Sequence, residues 1–510
     1  MPTVRAADGP VAKSRGWTVR VATLLPAVVA FAYVVARAAR VGFTHDEAHT
    51  FLWFLDAPLS TTLAFGGAVN ANNHTLNTLL MALSRSVFGS SELALRLPNV
   101  LAFIGYCAAV LSLARRYRTP VARVVVNVLL ILNPFLLEVF SLARGYGLGI
   151  CLEAASLALL AGALAPGPSL DARRRGLVLG GCAAALTVVA NLTFLNFYIP
   201  FLIVQLWTGW RLAAHPDSPP PKVRRFETVA ASAAPAVLVA AYAIRAISRL
   251  AGARELYYGG HGGFWADTVD SLIRCWLYLQ PYAPAARSAV LAAAVVAMGA
   301  AFLAVAGSGP AATLNRSTFA RPLASILGGG VALVVLEHRL FGTPFPINRT
   351  ALWLLPSFVL LAACGLDAAS SARSAWMSRP STALGVVIIA SSVFHFASAA
   401  TLRTAILQFH DADTAEMLQD LTTLREGADG RDANLRLLAS WELKPAIEYY
   451  RVTRPLPWLS VAESADQADG AFLSPKDAAL AGSMMVWKRY PLTGNILAVA
   501  APVRSSGRKP

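Results

Sequence analysis

Charged side chains are scarce in this sequence. Asp, Glu, Lys and Arg make up 14% of its 510 residues, against roughly a quarter in soluble globular proteins. With 56% hydrophobic residues and a mean hydropathy of +0.53, that scarcity excludes a water-soluble globule and indicates a membrane protein. Cysteine is sparse and unpatterned: Cys107, Cys151, Cys182, Cys275 and Cys364 show no metal or redox spacing, and most lie inside apolar runs. A cysteine-based centre is therefore excluded. Despite a formal net charge of +16, no basic stripe with interleaved aromatics is present, which excludes nucleic acid as a partner. No period of 20 to 50 residues marks a repeat array.

What is abundant is apolar runs long enough to cross a bilayer of ~30 Å. They lie near 17–40, 93–114, 119–137, 145–165, 177–195, 196–212, 227–249, 286–307, 320–340, 350–368 and 382–402. The fold class expected is thus an α-helical polytopic membrane protein of about eleven transmembrane helices. The pair meeting at "NLTFLNFYIP" (191–200) has the alternative reading of one broken segment. Basic clusters all fall on one and the same side of the spans: Arg5, Lys13 and Arg15; Arg115, Arg116 and Arg118; "DARRRG" (171–176); "PPPKVRRFE" (219–227); Arg316 with Arg321; and Arg373 with Arg379. The positive-inside rule makes that side cytoplasmic, so the amino terminus is expected inside and the carboxyl terminus outside. The first run is long and lacks a small-residue cleavage site, and reads as a retained helix.

Beyond 403 the texture changes, giving a boundary between a transmembrane domain (1–402) and a soluble exoplasmic α/β domain (403–510). There, 410–430 and 444–451 read as helices, and 434–440 and 494–503 as strands. Three exoplasmic segments collect polar groups. Loop 41–92 holds "FTHDEAHTFLW" (43–53) and "NANNHTLNTLL" (70–80), with 46–56 and 72–88 patterned as amphipathic surface helices. Segment 254–272 carries Tyr257, Tyr258 and His261 among glycines that suggest flexibility, and 337–350 carries Arg349. Trp53, Trp265, Trp276 and Tyr278, near span ends, read as interface anchors.

Within that loop, Asp46 and Glu47 lie between His45 and His49 and share the loop with Asn73 and His74. A carboxylate at a membrane surface can take a proton from an attacking hydroxyl or ligate a divalent cation. Arg144 in "SLARGYGLG" and Arg349 in "FPINRTALWLLP" stand on the same side, and a guanidinium is a natural partner for phosphate. Arg96 is a third candidate, with i,i+4 pairing to Glu92 as its alternative.

Together "HDEA" after the first span, "NNHTLNTLL", "LALRLPNVL", "SLARGYGL" and "NRTALWLLP" resemble the ordered motifs of the C-type (GT-C) membrane glycosyltransferases. The similarity is narrower to the group of protein O-mannosyltransferases and the lipid A aminoarabinose transferase, and spans about residues 40–365. The resemblance implies transfer of a hexosyl or pentosyl group from a polyprenyl phosphate sugar donor to a glycolipid, polysaccharide or protein acceptor. Transfer would take place at the exoplasmic face, with inversion, in a bacterial inner membrane. It also implies Asp46 as base with Glu47 in support, and His45, Asn73 and His74 near the acceptor or a divalent cation (Mg, Mn, Ca or Zn) held at Asp46 and His74. Arg349, Arg144 and Arg96 would bind the donor phosphate, and Tyr257, Tyr258 and His261 would line a donor or acceptor loop. Where many relatives carry His-Pro-Pro-Leu, this chain has His74-Thr75-Leu76-Asn77.

Two other classes compete. An intramembrane zinc protease would use His45 and His49, but Asp46 stands where the zinc motif wants Glu, and a third ligand is missing from the pattern. A transporter or flippase would place ionisable residues at mid-depth in its spans, whereas here they gather at the rim.

Overall fold

A computed structural model describes residues 10–67, 69–213, 221–306, 314–426 and 434–500. Arg5, residues 219–220 of one basic cluster, 427–430 of an expected helix and 501–503 of an expected strand lie outside the described residues. In chain order the α-helices are α1 Pro10–Arg40, α2 His45–Phe54, α3 Leu59–Ala64, α4 Thr75–Phe88, α5 Glu92–Ala114, α6 Pro120–Ile131, α7 Pro134–Phe140, α8 Gly145–Leu164 and α9 Leu170–Ala190. They continue with α10 Leu195–Ala213, α11 Pro221–Gly252, α12 Asp270–Trp276, α13 Ala283–Ala306, α14 Leu314–Phe341, α15 Leu354–Ser370, α16 Ala375–Ala399, α17 Thr414–Glu426 and α18 Lys444–Thr453.

Among the described residues the apolar runs read from the sequence are largely helical, the run 119–137 being divided between α6 and α7. Six helices are long and apolar enough to cross a membrane, or eight if two bent pairs each count as one span, among the described residues. That is fewer than the sequence suggests, for local reasons. The helix α9 opens with Asp171 and three arginines, which dilutes its apolar length, and α15 has only 17 residues.

The bends have chemical causes. Between α6 and α7 the axis turns by 52°. Pro134 cannot donate a backbone hydrogen bond, and the Asn133 side chain accepts from Phe135 N and Leu136 N instead, starting a new helix. At 191 the Asn191 side chain accepts from Thr193 N, so "NLTFLNFYIP" is two helices joined by a 3-10 turn over Leu192–Phe194.

The chain divides into two compact units. One comprises 1–34, 99–141 and 145–400; the other comprises 35–98, 142–144 and 401–510. The second contains a five-stranded sheet formed by β1 Leu435–Ala439, β2 Leu459–Val461, β3 Gly470–Leu473, β4 Met485–Arg489 and β5 Ile496–Val499, in the order β2-β1-β3-β5-β4. Strand β1 runs parallel to β2 and β3, while β5 runs antiparallel to β3 and β4. The three strands β2, β3 and β4 escape pattern reading because they are short or, in β4, almost wholly exposed and without alternation.

The core of this unit joins distant parts of the sequence. Phe43, Ala48, Phe51, Leu55, Met81 and Leu95 share one buried cluster with Met417, Leu421, Leu437, Ile447, Tyr449, Tyr450 and Leu497. Helix α18 packs on α2, with Phe43 stacked on Tyr449 at 3.9 Å between ring centroids. The C-terminal α/β segment is therefore built into the same unit as the acidic loop.

Candidate active site

The acidic loop enters α2 through Thr44, whose backbone is extended at φ −84° and ψ 160°. Glu47, three residues on, reaches back and accepts Thr44 N–H at 3.0 Å and Thr44 Oγ1–H at 2.9 Å, in the manner of a capping box. It also accepts from Arg96 Nε at 2.7 Å, Arg96 Nη2 at 2.6 Å and Ala143 N at 2.6 Å. Burial alone would raise this carboxyl, but the Arg96 charge and the accepted hydrogen bonds outweigh it, and the Glu47 pKa is lowered. The rest of the Arg96 fork donates to Ala38, Val41 and Gly42 carbonyls. Its N–H groups are thus spent inside the protein, and its acid is Glu47, not Glu92, which meets Arg454 at 3.4 Å. Arg96 accordingly anchors the loop and has no N–H left to offer a phosphate.

The Ala143 peptide is gripped on both sides, donating to Glu47 and accepting from Asn77 Nδ2 at 2.9 Å. That grip fixes the next residue: Arg144 lies 3.2 Å from Asp46 Oδ2 and donates to Asn72 Oδ1 at 3.0 Å. The sequence assigned Arg144 to phosphate; the geometry brings it to Asp46. Asn73 Nδ2 donates to Thr62 O at 3.0 Å, and His74, buried, supplies the carbonyl that accepts Thr78 N–H at the start of α4.

The other flank of α2 is held by C-terminal residues that sequence reading did not single out. Tyr450 OH accepts Phe43 N–H at 2.9 Å, Asp411 Oδ2 accepts His45 N–H at 2.6 Å, and the Glu442 carbonyl lies 2.8 Å from His45 Nδ1. Asp411 is pushed well above the usual carboxyl range, first by burial and then by the charges of Asp46, Glu47 and Glu442, against the bond from His45. His410 is lowered by burial foremost. At Glu442 burial acts upward, but Lys476, 2.9 Å away, wins and lowers it. His49 falls to about 4, through burial and the neighbouring His45, with Asp46 opposing.

No three His, Cys, Asp or Glu side chains are grouped to hold a metal among the described residues. A cation at Asp46 and His74 would have to displace Arg144 from the Asp46 carboxylate. His45 and His49 do share a helix face, with ring centroids 6.4 Å apart, but His45 Nδ1 is turned to Glu442 O and the His49 ring lies on Trp53 at 4.0 Å. A zinc site at this pair would need a third ligand, and none is grouped with them among the described residues.

In the first unit, Arg349 lies between two aromatic rings, 5.9 Å from Tyr146 and 5.7 Å from Tyr258. The preceding Asn348 takes φ +51°, a left-handed conformation Asn tolerates better than most residues, and donates from its backbone to Ser271 Oγ at 2.9 Å and from its side chain to Tyr258 OH at 3.3 Å. The glycine stretch is pinned: Asp267 accepts from Gly262 N and Gly263 N, and Gly260 exchanges backbone bonds with Phe345. A Cβ at Gly260 would lie 2.1 Å from Asp267, so this glycine permits a close approach and not flexibility. His261 and Tyr257 are exposed, the latter by 72%. Tyr278, read as an interface anchor, is buried and donates to Glu138 at 2.6 Å, because Glu138 needs a partner inside the helical packing.

The fold defined by these helices and the small sheet is that of the GT-C glycosyltransferases. ArnT from Cupriavidus metallidurans, the lipid A aminoarabinose transferase, has a solved apo structure similar over 97% of this chain and 100% of its own, with a TM-score of 0.53 at 14% identity. ArnT bound to undecaprenyl phosphate matches over 96% and 99%, with a TM-score of 0.49 at 12% identity. The archaeal oligosaccharyltransferase AglB from Archaeoglobus fulgidus, in complex with an inhibitory peptide and a dolichol-phosphate, matches over 89% and 70%, with a TM-score of 0.43 at 14% identity. No family model matches the sequence, and no curated protein matches it.

Proposed function

We propose that the protein is an integral-membrane glycosyltransferase that moves a hexosyl or pentosyl group from a polyprenyl phosphate carrier to an acceptor hydroxyl at the exoplasmic face, with inversion. The GT-C fold supports the class. The observation that carries the reaction is Asp46, held at the start of α2 by an anchored neighbour and faced by Arg144. In this reading the acceptor oxygen attacks the anomeric carbon while its proton passes to the Asp46 carboxylate, and the bond from that carbon to the phosphate oxygen breaks. One base and a good leaving group suffice for inversion. Arg144, 3.2 Å away, holds the Asp46 carboxylate in place. Arg349, with Tyr146 and Tyr258 beside it, takes the role of stabilising the departing phosphate.

The orientation follows the basic clusters: amino terminus in the cytoplasm, loop 41–92 and the C-terminal α/β domain outside, in a bacterial inner membrane. Transfer is measured in membranes containing the protein, from a radiolabelled polyprenyl phosphate sugar to extractable lipid, glycan or protein. Asp46→Asn removes the base without removing bulk and should abolish incorporation above background. Unaltered incorporation in that variant would end the assignment.

A further inference from the structure

Four rings form a ladder along α2: Trp441, His45, His49 and Trp53, with successive centroids 5.5, 6.4 and 4.0 Å apart. Its middle is covered, His49 being buried, while its two ends are open, Trp441 at 66% and Trp53 at 55% exposure. Trp53 alone would pass for a membrane-interface anchor. Trp441 does not fit that role, because it comes from the C-terminal α/β segment and carries an ion pair beside it: Lys476 Nζ lies 5.4 Å over the indole and 2.9 Å from Glu442.

His45 has a defined tautomer. The Glu442 carbonyl only accepts, so the proton of the neutral ring sits on Nδ1 and the lone pair on Nε2. Nε2 has no partner among the described residues. It is thus a fixed hydrogen-bond acceptor on the residue before Asp46. A sugar ring offers C–H faces that stack on an indole and hydroxyls at its edge that need acceptors. A peptide hydroxyl offers the second and lacks the first.

Resting on the glycosyltransferase reading, we infer that this ladder is the acceptor subsite and that the acceptor is a saccharide. Trp441 and Trp53 supply two stacking positions, one at each end of the histidine pair, and His45 Nε2 accepts a bond from a hydroxyl of the bound sugar. The C-terminal segment thereby contributes directly to substrate choice, through Trp441 and through the Glu442 carbonyl that sets the His45 tautomer. His45 acts as a positioning residue for the hydroxyl that Asp46 deprotonates.

The test uses full-length protein in lipid nanodiscs and saturation-transfer NMR, with pentasaccharides of α-glucan, α-mannan and arabinan and a Ser/Thr-containing peptide as probes. At least one pentasaccharide should receive saturation. Its affinity should fall by about five- to tenfold in Trp441→Ala and in Trp53→Ala, and should return in Trp441→Phe. Replacing His45 by Ala should raise the acceptor KM and leave the donor KM in place, with partial rescue in His45→Gln, which restores an acceptor atom. The inference is overturned by saturation of the peptide alone, by no saturation of any pentasaccharide, or by pentasaccharide binding indifferent to both tryptophans. Because binding is read without transfer, a protein that binds saccharide but never uses polyprenyl phosphate sugar would refute the proposed function and leave the subsite standing.

Discussion

Asp46 and Glu47 are neighbours in the chain and opposites in their surroundings. Around Glu47 the site is saturated: two arginine bonds, two backbone N–H groups and a threonine hydroxyl converge on a carboxylate with no exposed surface. Around Asp46 the arginine stands at 3.2 Å, longer than a tight charge-assisted bond. Glu47 holds three stretches of chain together; Asp46 is the acid proposed to act in the chemistry. Sequence spacing alone cannot separate such a pair, because both acids sit in the first turn of the same helix.

Exchanging the two roles gives the largest expected effects. Asp46→Asn should cut transfer by about 10²- to 10⁴-fold while leaving the thermal midpoint close to that of the parent. Glu47→Gln should do the reverse in kind, since it leaves Arg96 buried without its counter-charge at a cost of about 3–5 kcal/mol, read as a large drop in midpoint and in folded yield. If Glu47→Gln folded normally and lost only activity, the division of labour drawn between the two acids would be wrong.

The next effect sharpens the contrast between the Asp46 site and the aromatic-flanked cation of the helical unit. Arg349→Ala should raise the donor KM by about 10- to 100-fold, the worth of a charge-assisted phosphate contact, with less change in acceptor KM. Equal effects on both substrates would remove Arg349 from the donor. Smaller again is the effect of Asp411→Ala, which strips His45 N–H of its acceptor. A loss of about 1–3 kcal/mol of stability is expected for the orphaned donor, and Asp411→Asn, which keeps an acceptor oxygen, should recover most of it by the same thermal measurement.

How much of this was legible in the sequence depends on the range of the interaction. The membrane helices were, because crossing a bilayer sets a length that composition reveals in any window. So was α2, expected over 46–56 and found over His45–Phe54. The partners were not. Arg96 lies 49 residues from Glu47, and Asp411 lies 366 from His45. Local periodicity carries nothing about pairs so far apart, so it offers Arg96 no acid but its helical neighbour Glu92 and shows nothing of the tail's bonds to the acidic loop. The glycine stretch misled for a related reason: in sequence it signals freedom, whereas Asp267 and Phe345 use the missing Cβ atoms to pin it.

The smallest effect separates the acids from the histidine beside them. His49 is held near pKa 4, below its usual 6.5, so the fold favours its neutral form. A group depressed in this way contributes stability in full above about pH 6.5 and loses it as the pH falls toward 4; His410, also lowered, acts with the same sign. Glu47, whose value is lowered as an acid, keeps its contribution down to about pH 4.5 and loses it only below. Asp411 runs the other way, since a raised carboxyl stabilises the folded state at low pH and erodes it as the pH climbs. Between pH 6.5 and 4 the histidines should therefore pull the thermal midpoint down while Glu47 still holds and Asp411 opposes them. His49→Gln, which cannot take a proton, should make that slope less steep, leaving the remainder to His410 set against Asp411. A slope identical in parent and variant would show that the burial of His49 beside Trp53 costs its charged form nothing.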